Sequence, residues 1–234
     1  MNSSLDILIF GAHPDDAEIG MGATIAKHTA RGVRVGICDL TLAELSSNGD
    51  VETRKQEADH AANILGLTIR TNLALPDRGL TMSQEHVAKI VKEIRKHQPS
   101  CVCIPYWKDR HPDHVACSYL LQEAVFNAKL RKYSPDSDAH LVQRVIYYFI
   151  NDLDDADLVV DVSEYYAIKQ SALQAYRTQF ESPHIHQQFV ATAINQGYIE
   201  QVAWRDRLMG QKYGVEYAET FVSKQPLLVE RLDL

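Results

Sequence analysis

The chain has 234 residues, 45% hydrophobic and 24% charged, with a formal net charge of -7. That length and balance suit a single α/β domain, residues 1–234, able to bury a substantial core. The acidic surplus argues against a broad nucleic-acid surface, which needs a basic stripe, but leaves room for a local arginine site that holds a small anion.

An apolar run over residues 5–10 reads as the first strand, and residues 20–30 as a helix closed by Arg31-Gly32. Residues 33–40 form a second strand. Asp50 is placed to cap a helix that runs to Leu65 and stops at Gly66. Residues 68–74 are a more polar strand, as expected near a sheet edge. Over 83–97 the apolar residues Val87, Ile90, Val91 and Ile94 follow helical spacing, and Pro99 ends the helix. Residues 101–105 form a fourth strand and 112–130 a helix. Strands follow at 144–150 and 158–162, helices at 164–180 and 187–213, and an extended segment at 219–228. Alternating strands and helices predict a parallel sheet covered on both faces, a Rossmann-like three-layer αβα arrangement. In doubly wound sheets the first and fourth strands are commonly neighbours, and the loops leaving their carboxyl ends make the binding crevice.

The four cysteines, Cys38, Cys101, Cys103 and Cys117, match no zinc-ribbon or redox spacing and read as reduced thiols. The N-terminal apolar run is too short for a signal sequence, and no segment is long enough to span a membrane. The expected location is cytoplasmic.

Chemistry concentrates after strands one and four. Gly11-Ala12-His13-Pro14-Asp15-Asp16 crowds an imidazole and two carboxylates at a strand end, and Asp109-Arg110-His111-Pro112-Asp113-His114 does the same downstream. A glycine-rich phosphate loop would need small residues where Asp15 and Asp16 stand. His13 and Asp16, three apart, can face one side of a turn, leaving Asp15 to point elsewhere. A catalytic zinc wants three His or carboxylate ligands and an open position. The third ligand comes from His111, Asp113 or His114, with a histidine preferred. A metal so held lowers the pKa of a bound water toward ~7. Asp15 can then take the proton, and the unused histidine can stabilise an oxyanion or protonate a leaving group. These parts make a metal-dependent hydrolase of amides or esters. Taken singly, each group is an ordinary helix cap or surface side chain.

Ala12-His13-Pro14-Asp15-Asp16 with His111-Pro112-Asp113-His114 resembles the LmbE-like, or PIG-L-type, zinc deacetylases, which have a Rossmann-like fold and remove acetyl from N-acetylglucosamine groups. Several further segments are similar to the bacillithiol-biosynthesis deacetylases, which act on N-acetylglucosaminyl malate. They are Asp39-Leu40-Thr41, the stretch from Ala43 to Gly49, Arg54, Glu57, Leu75-Pro76-Asp77-Arg78-Gly79, the stretch from Lys212 to Glu219, and Phe221-Val222-Ser223-Lys224. Ala43-Glu44 stands where much of the wider family has Gly-Glu, which fits the subgroup.

The resemblance implies that His13, Asp16 and His114 bind zinc and that Asp15 is the general base. It implies His111 as oxyanion stabiliser or acid, with Asp113 a candidate to orient it. It also implies a homo-oligomer, such as a hexamer. Arg54 and Arg110 are the cations expected to grip malate carboxylates, since arginine binds carboxylate in a directional, bidentate way. Their ordinary alternative is an ion pair with Glu44, Glu57 or Asp109. Other divalent metals suit the same ligands. Within the class, N-acetylglucosamine or a chitin-type oligosaccharide is the alternative substrate. From another class, the alternative is a non-catalytic sugar- or metal-binding module. His184 and His186 are expected in a loop, and His28, His60, His86 and His97 on solvent-facing helix positions.

Overall fold

The computed structural model describes residues 4–182 and 188–226. Among these residues seven strands form one sheet: β1 (Ile7–Gly11), β2 (Val35–Thr41), β3 (Ile69–Leu75), β4 (Cys101–Pro105), β5 (Arg144–Tyr148), β6 (Leu158–Asp161) and β7 (Ala218–Val222). Their spatial order is β3-β2-β1-β4-β5-β7-β6. The first five are mutually parallel, whereas β7 runs antiparallel to both β5 and β6. The expected adjacency is present: β1 pairs with β4 in the register Ile7↔Cys101 to Ile9↔Cys103. Both strands therefore deliver their carboxyl ends to one crevice, at the point where winding reverses.

Seven helices flank the sheet among the described residues: α1 (Asp16–Thr29), α2 (Val51–Leu65), α3 (Gln84–His97), α4 (Pro112–Ala128), α5 (Tyr166–Gln174), α6 (Arg177–Phe180) and α7 (Tyr198–Lys212). On one face Val87, Ile90, Val91 and Ile94 of α3 and Leu120 and Leu121 of α4 pack on Leu8, Phe10, Val102 and Ile104. On the other face α1, α2 and α5 bring Ile25, Ala58, Ala61 and Leu173 onto Ile9 and Ile37. Each large apolar side chain so buried contributes on the order of 1.5–3 kcal/mol. Strand β2 is buried along its whole length, while β3, at the edge, is half exposed. None of the helices among the described residues is long and apolar enough to cross a membrane.

Local chemistry sets several ends as expected. The Asp50 carboxylate accepts the Thr53 N–H at 2.8 Å, and Gly66 closes α2 at φ 68°. The Ser83 hydroxyl accepts the His86 N–H at 3.2 Å at the start of α3. Four expectations are corrected. Helix α1 starts at Asp16, not at Gly20, and carries a break at Met21. The helix expected over 164–180 is divided into a short turn of 3-10 helix, α5 and α6, because the chain leaves helical geometry at Tyr176. The helix expected from 187 begins at Tyr198, after a non-helical stretch over 188–197. His86 and His97 are buried, and His97 Nε2 lies 3.0 Å from Glu93 Oε1 across one helical turn. The cysteines are all free, with Cys101 half-buried. His184 and His186 lie outside the described residues.

Candidate active site

The turn after β1 closes on itself. The His13 N–H donates to Asp16 Oδ2 at 2.9 Å, and the Asp16 N–H returns to the His13 carbonyl at 3.3 Å. Between them Asp15 sits at φ 124°, ψ -23°, a sparsely populated conformation that costs a non-glycine residue about 1–3 kcal/mol. It separates the two carboxylates: Asp16 faces the histidines, while Asp15 Oδ2 accepts from Arg54 Nη2 at 2.8 Å. Glycine is required nearby. A Cβ on Gly20 would sit 2.2 Å from the Tyr148 ring and 2.7 Å from the Phe149 carbonyl, so the first turn of α1 can press against the end of β5.

After β4, His111 caps α4 with its own ring. Nδ1 accepts the Asp113 N–H at 3.2 Å, and Pro112 fills the first helical position. In the neutral ring the proton therefore resides on Nε2, making that atom a donor. Burial lowers the His111 pKa, and the neighbouring His114 and His13 lower it further, so the neutral form is favoured.

Three donors converge. Asp16 Oδ1 lies 3.1 Å from His114 Nε2, and Asp16 Oδ2 lies 3.7 Å from His13 Nδ1. Each imidazole turns its other nitrogen to carboxylates. His114 Nδ1 lies 3.0 Å from Asp109 Oδ1, and His13 Nε2 lies 3.3 Å from Asp77 and 3.4 Å from Asp113. Such outer carboxylates fix the ring and its tautomer in metal sites. The cluster of two imidazoles and a carboxylate, with outer atoms held by further carboxylates, is of a kind that suits a divalent cation. The surrounding carboxylates favour positive charge here. Burial would lower the His114 pKa, yet Asp16 and Asp109 outweigh it and push it up to about 9. For His13 too, Asp113, Asp16 and Asp77 outweigh burial. Nitrogens of His13, His111 and His114 also come within 4.8 Å of one another, as do donor atoms of His13, Asp77 and Asp113. In the second of these groups the Arg78 guanidinium, 2.9 Å from Asp113 Oδ1, already supplies the positive charge.

His13, Asp15, Asp16, Asp77, His111 and His114 line a cavity of about 500 Å³, which also takes in Arg54, Arg78, Arg110, Asn151 and Tyr198. Burial pushes the Asp15 carboxyl up to about 7, with Arg54 pulling it down and Asp16 pushing it up. The Arg54 side chain is buried. Its Nε donates to the Pro14 carbonyl at 3.0 Å, its Cζ lies 5.5 Å from the centre of the Tyr176 ring, and Nη1 has no hydrogen-bond partner. Glu44 and Glu57 are engaged elsewhere, with the Asp77 N–H and with Thr178. Arg110 is exposed at the rim, its N–H on Asp152.

Asp113 meets His111 through its backbone N–H; its carboxylate faces His13 and Arg78 instead. Three contributors were given no role in the site from the sequence. Asp77 reaches His13 from the loop after β3. Asp109 accepts from the His111 N–H and from Asn151 as well as facing His114. Asn151 in turn accepts from the Tyr198 hydroxyl at 2.8 Å. Asp109 carried a signal in its nearness to His111 and His114 and Asp77 in the segment 75–79 similar to the deacetylases, whereas Asn151 arrives from a distant segment with none.

The family model described as GlcNAc-PI de-N-acetylase, PIG-L, matches residues 8–125, a span that holds every proposed ligand and both clusters. The chain belongs to the PIG-L family. It is 31% identical over 194 residues to the diacetylchitobiose deacetylase of Thermococcus kodakarensis, covering 76% of this chain and 72% of that one. It is also 31% identical over 188 residues to the probable N-acetyl-alpha-D-glucosaminyl L-malate deacetylase 2 of Bacillus subtilis, covering 75% and 83%. Among solved structures, a conserved protein from Thermus thermophilus superposes with a TM-score of 0.89 at 36% identity, over 98% of this chain and 99% of that one. This PIG-L protein is an N-deacetylase, and its shared span includes the two clusters brought together by the β1–β4 pairing.

Proposed function

We propose that the protein removes the acetyl group from an N-acetylglucosaminide with an anionic aglycone, N-acetylglucosaminyl malate, as a step of bacillithiol biosynthesis. The carrying observation is Arg54, which lines the same cavity as Asp15 and the histidines and whose buried Nη1 has no hydrogen-bond partner. Arg78 and Arg110 line that cavity too, so carboxylates of a substrate meet three guanidinium groups.

In this reading His13, Asp16 and His114 hold a divalent metal, zinc, which supplies Lewis acidity toward the acetamide carbonyl and toward water. Asp15 stands apart from that ligand set, held by Arg54, and acts as the base. It takes the proton of the attacking water and returns it to the amine nitrogen as the C–N bond breaks. His111 donates from Nε2 to the oxygen that gains charge, its ring held by the Asp113 N–H. Asp77, Asp109 and Asp113 keep the two ligand imidazoles oriented.

Acetate release from the malate glycoside, with chelation and zinc add-back, tests the proposal. Arg54→Ala is then compared on the malate glycoside and on N-acetylglucosamine. A larger loss on the glycoside is expected, and equal losses would refute a role in carboxylate binding. The second reading, diacetylchitobiose as substrate, is favoured by the equal identity to the Thermococcus enzyme. Faster turnover of that disaccharide than of the malate glycoside would decide for it.

A further inference from the structure

The break in α1 at Met21, φ -149° and ψ 23°, divides the helix into a first turn that begins at Asp16 and a second part that packs on the sheet. In an unbroken helix the Ala23 N–H would bond the Ile19 carbonyl. Here both groups go to residues far along the chain. The Ala23 and Thr24 N–H groups donate to Glu219 Oε1 and Oε2, at 3.1 and 2.7 Å. The Ile19 carbonyl accepts from Arg205 Nη2 at 2.9 Å. Glu219 thus caps the second part of α1 as an N-terminal carboxylate, and Arg205 satisfies the end of the first.

The two are tied together. Lys169, fully buried, donates at 2.7 Å to both Glu219 and Asp206, and Asp206 Oδ1 accepts from Arg205 Nε at 2.9 Å. The stem of Lys169 crosses Gly22, where a Cβ would stand 3.0 Å from its Cγ. Arg205 Nη1 also donates to the Ile150 carbonyl, and Ile19 and Ile150 both line the active cavity.

We propose that Glu219 and Arg205 are positioning residues: by holding α1 broken at Met21 they set where Asp16 meets His114 and His13. Without the break, the first turn would follow the axis of the second part and carry Asp16 and Asp15 off their present line. This assigns a role to the Lys212–Glu219 stretch, whose carboxylate at Glu219 touches neither the cavity nor the histidines. The inference rests on the ligand set given under the proposed function.

The test uses the whole chain. Zinc affinity is measured by competition with a chromophoric chelator for wild type, Glu219→Gln, Arg205→Gln, His114→Ala and Ile94→Val. Amide exchange over residues 16–24 and steady-state kinetics are read alongside. Glu219→Gln is expected to bind zinc about tenfold more weakly, at the low end of what loss of a group orienting a ligand costs, with lower kcat, unchanged KM and faster exchange at residues 17–21. Ile94→Val, a core deletion on the opposite face, is expected to lose Tm but keep zinc affinity. If Glu219→Gln does not fold, Arg205→Gln is read in the same way. Wild-type zinc affinity in the folded variant would overturn the inference. Failure of the ligand set shows separately, as no zinc bound by wild type or undiminished binding by His114→Ala. Exchange then decides, and unchanged exchange at 17–21 in the variant overturns the inference.

Discussion

Asp109→Asn probes the link between fold and site most directly. The Asp109 carboxylate accepts four hydrogen bonds: on Oδ1 from the His111 N–H, His114 Nδ1 and Asn151 Nδ2, and on Oδ2 from the Asn151 N–H. An asparagine whose oxygen replaces Oδ1 turns its NH2 toward the Asn151 N–H, setting donor against donor. One buried donor left unsatisfied costs about 1–3 kcal/mol. In a chain of this size that lowers Tm by about 2–4 °C per kcal/mol. The larger effect falls on His114. Its Nδ1 keeps an acceptor but loses the negative charge that makes the ring a better ligand, which costs ~10–100-fold in metal affinity in comparable sites. Chelator competition on the folded variant measures that loss, and acetate release at saturating zinc separates it from an effect on chemistry. A folded Asp109→Asn enzyme with wild-type zinc affinity would refute the reasoning that Asp109 tunes a metal ligand.

Removing the Nε2–H donor in His111→Ala should lower kcat by ~10²–10³-fold while zinc stoichiometry stays that of wild type; parallel loss of zinc would instead make His111 a ligand. Gly20→Ala puts a methyl group 2.2 Å from the Tyr148 ring, so thermal unfolding should show a loss of about 1–3 kcal/mol, and an unchanged Tm would mean that β5 yields freely. For Asp206, burial raises the pKa, but Arg205 and Lys169 outweigh it and leave the folded value below the ordinary 3.8. A depressed carboxylate adds stability above its unfolded pKa and loses it as pH falls through the folded one. Urea unfolding of Asp206→Asn should therefore show a constant deficit above about pH 5 that narrows below pH 4; a deficit independent of pH would remove the ionic account.

Where the chain's own neighbours decide conformation, the sequence was readable. The strand Cys101–Pro105 has its expected bounds, and α2 and α3 start and stop at Asp50, Gly66 and Ser83, whose side chains or φ angles act within a few residues. The first cluster was visible for the same reason, since His13 and Asp16 share one turn. Reading failed where distant groups intervene. Helix α1 runs through its Gly20-Met21-Gly22 break because Glu219 and Arg205 satisfy the backbone groups freed there. His86 and His97 looked solvent-facing by pattern, but tertiary packing buries them.

The sequence by itself determined the two clusters, the order of strands and helices, and the expectation that Asp15 and Asp16 face different ways, because these follow from residue type and short spacing. Only the tertiary structure decided that β1 lies against β4, that Asp77, Asp109 and Asp113 stand behind the imidazoles, and that a C-terminal carboxylate holds the first helix broken. The physical reason is range. Caps, turns and periodicity act over a few residues, whereas a buried charge takes whatever partner the packed chain brings within hydrogen-bond distance, and no local pattern encodes which one.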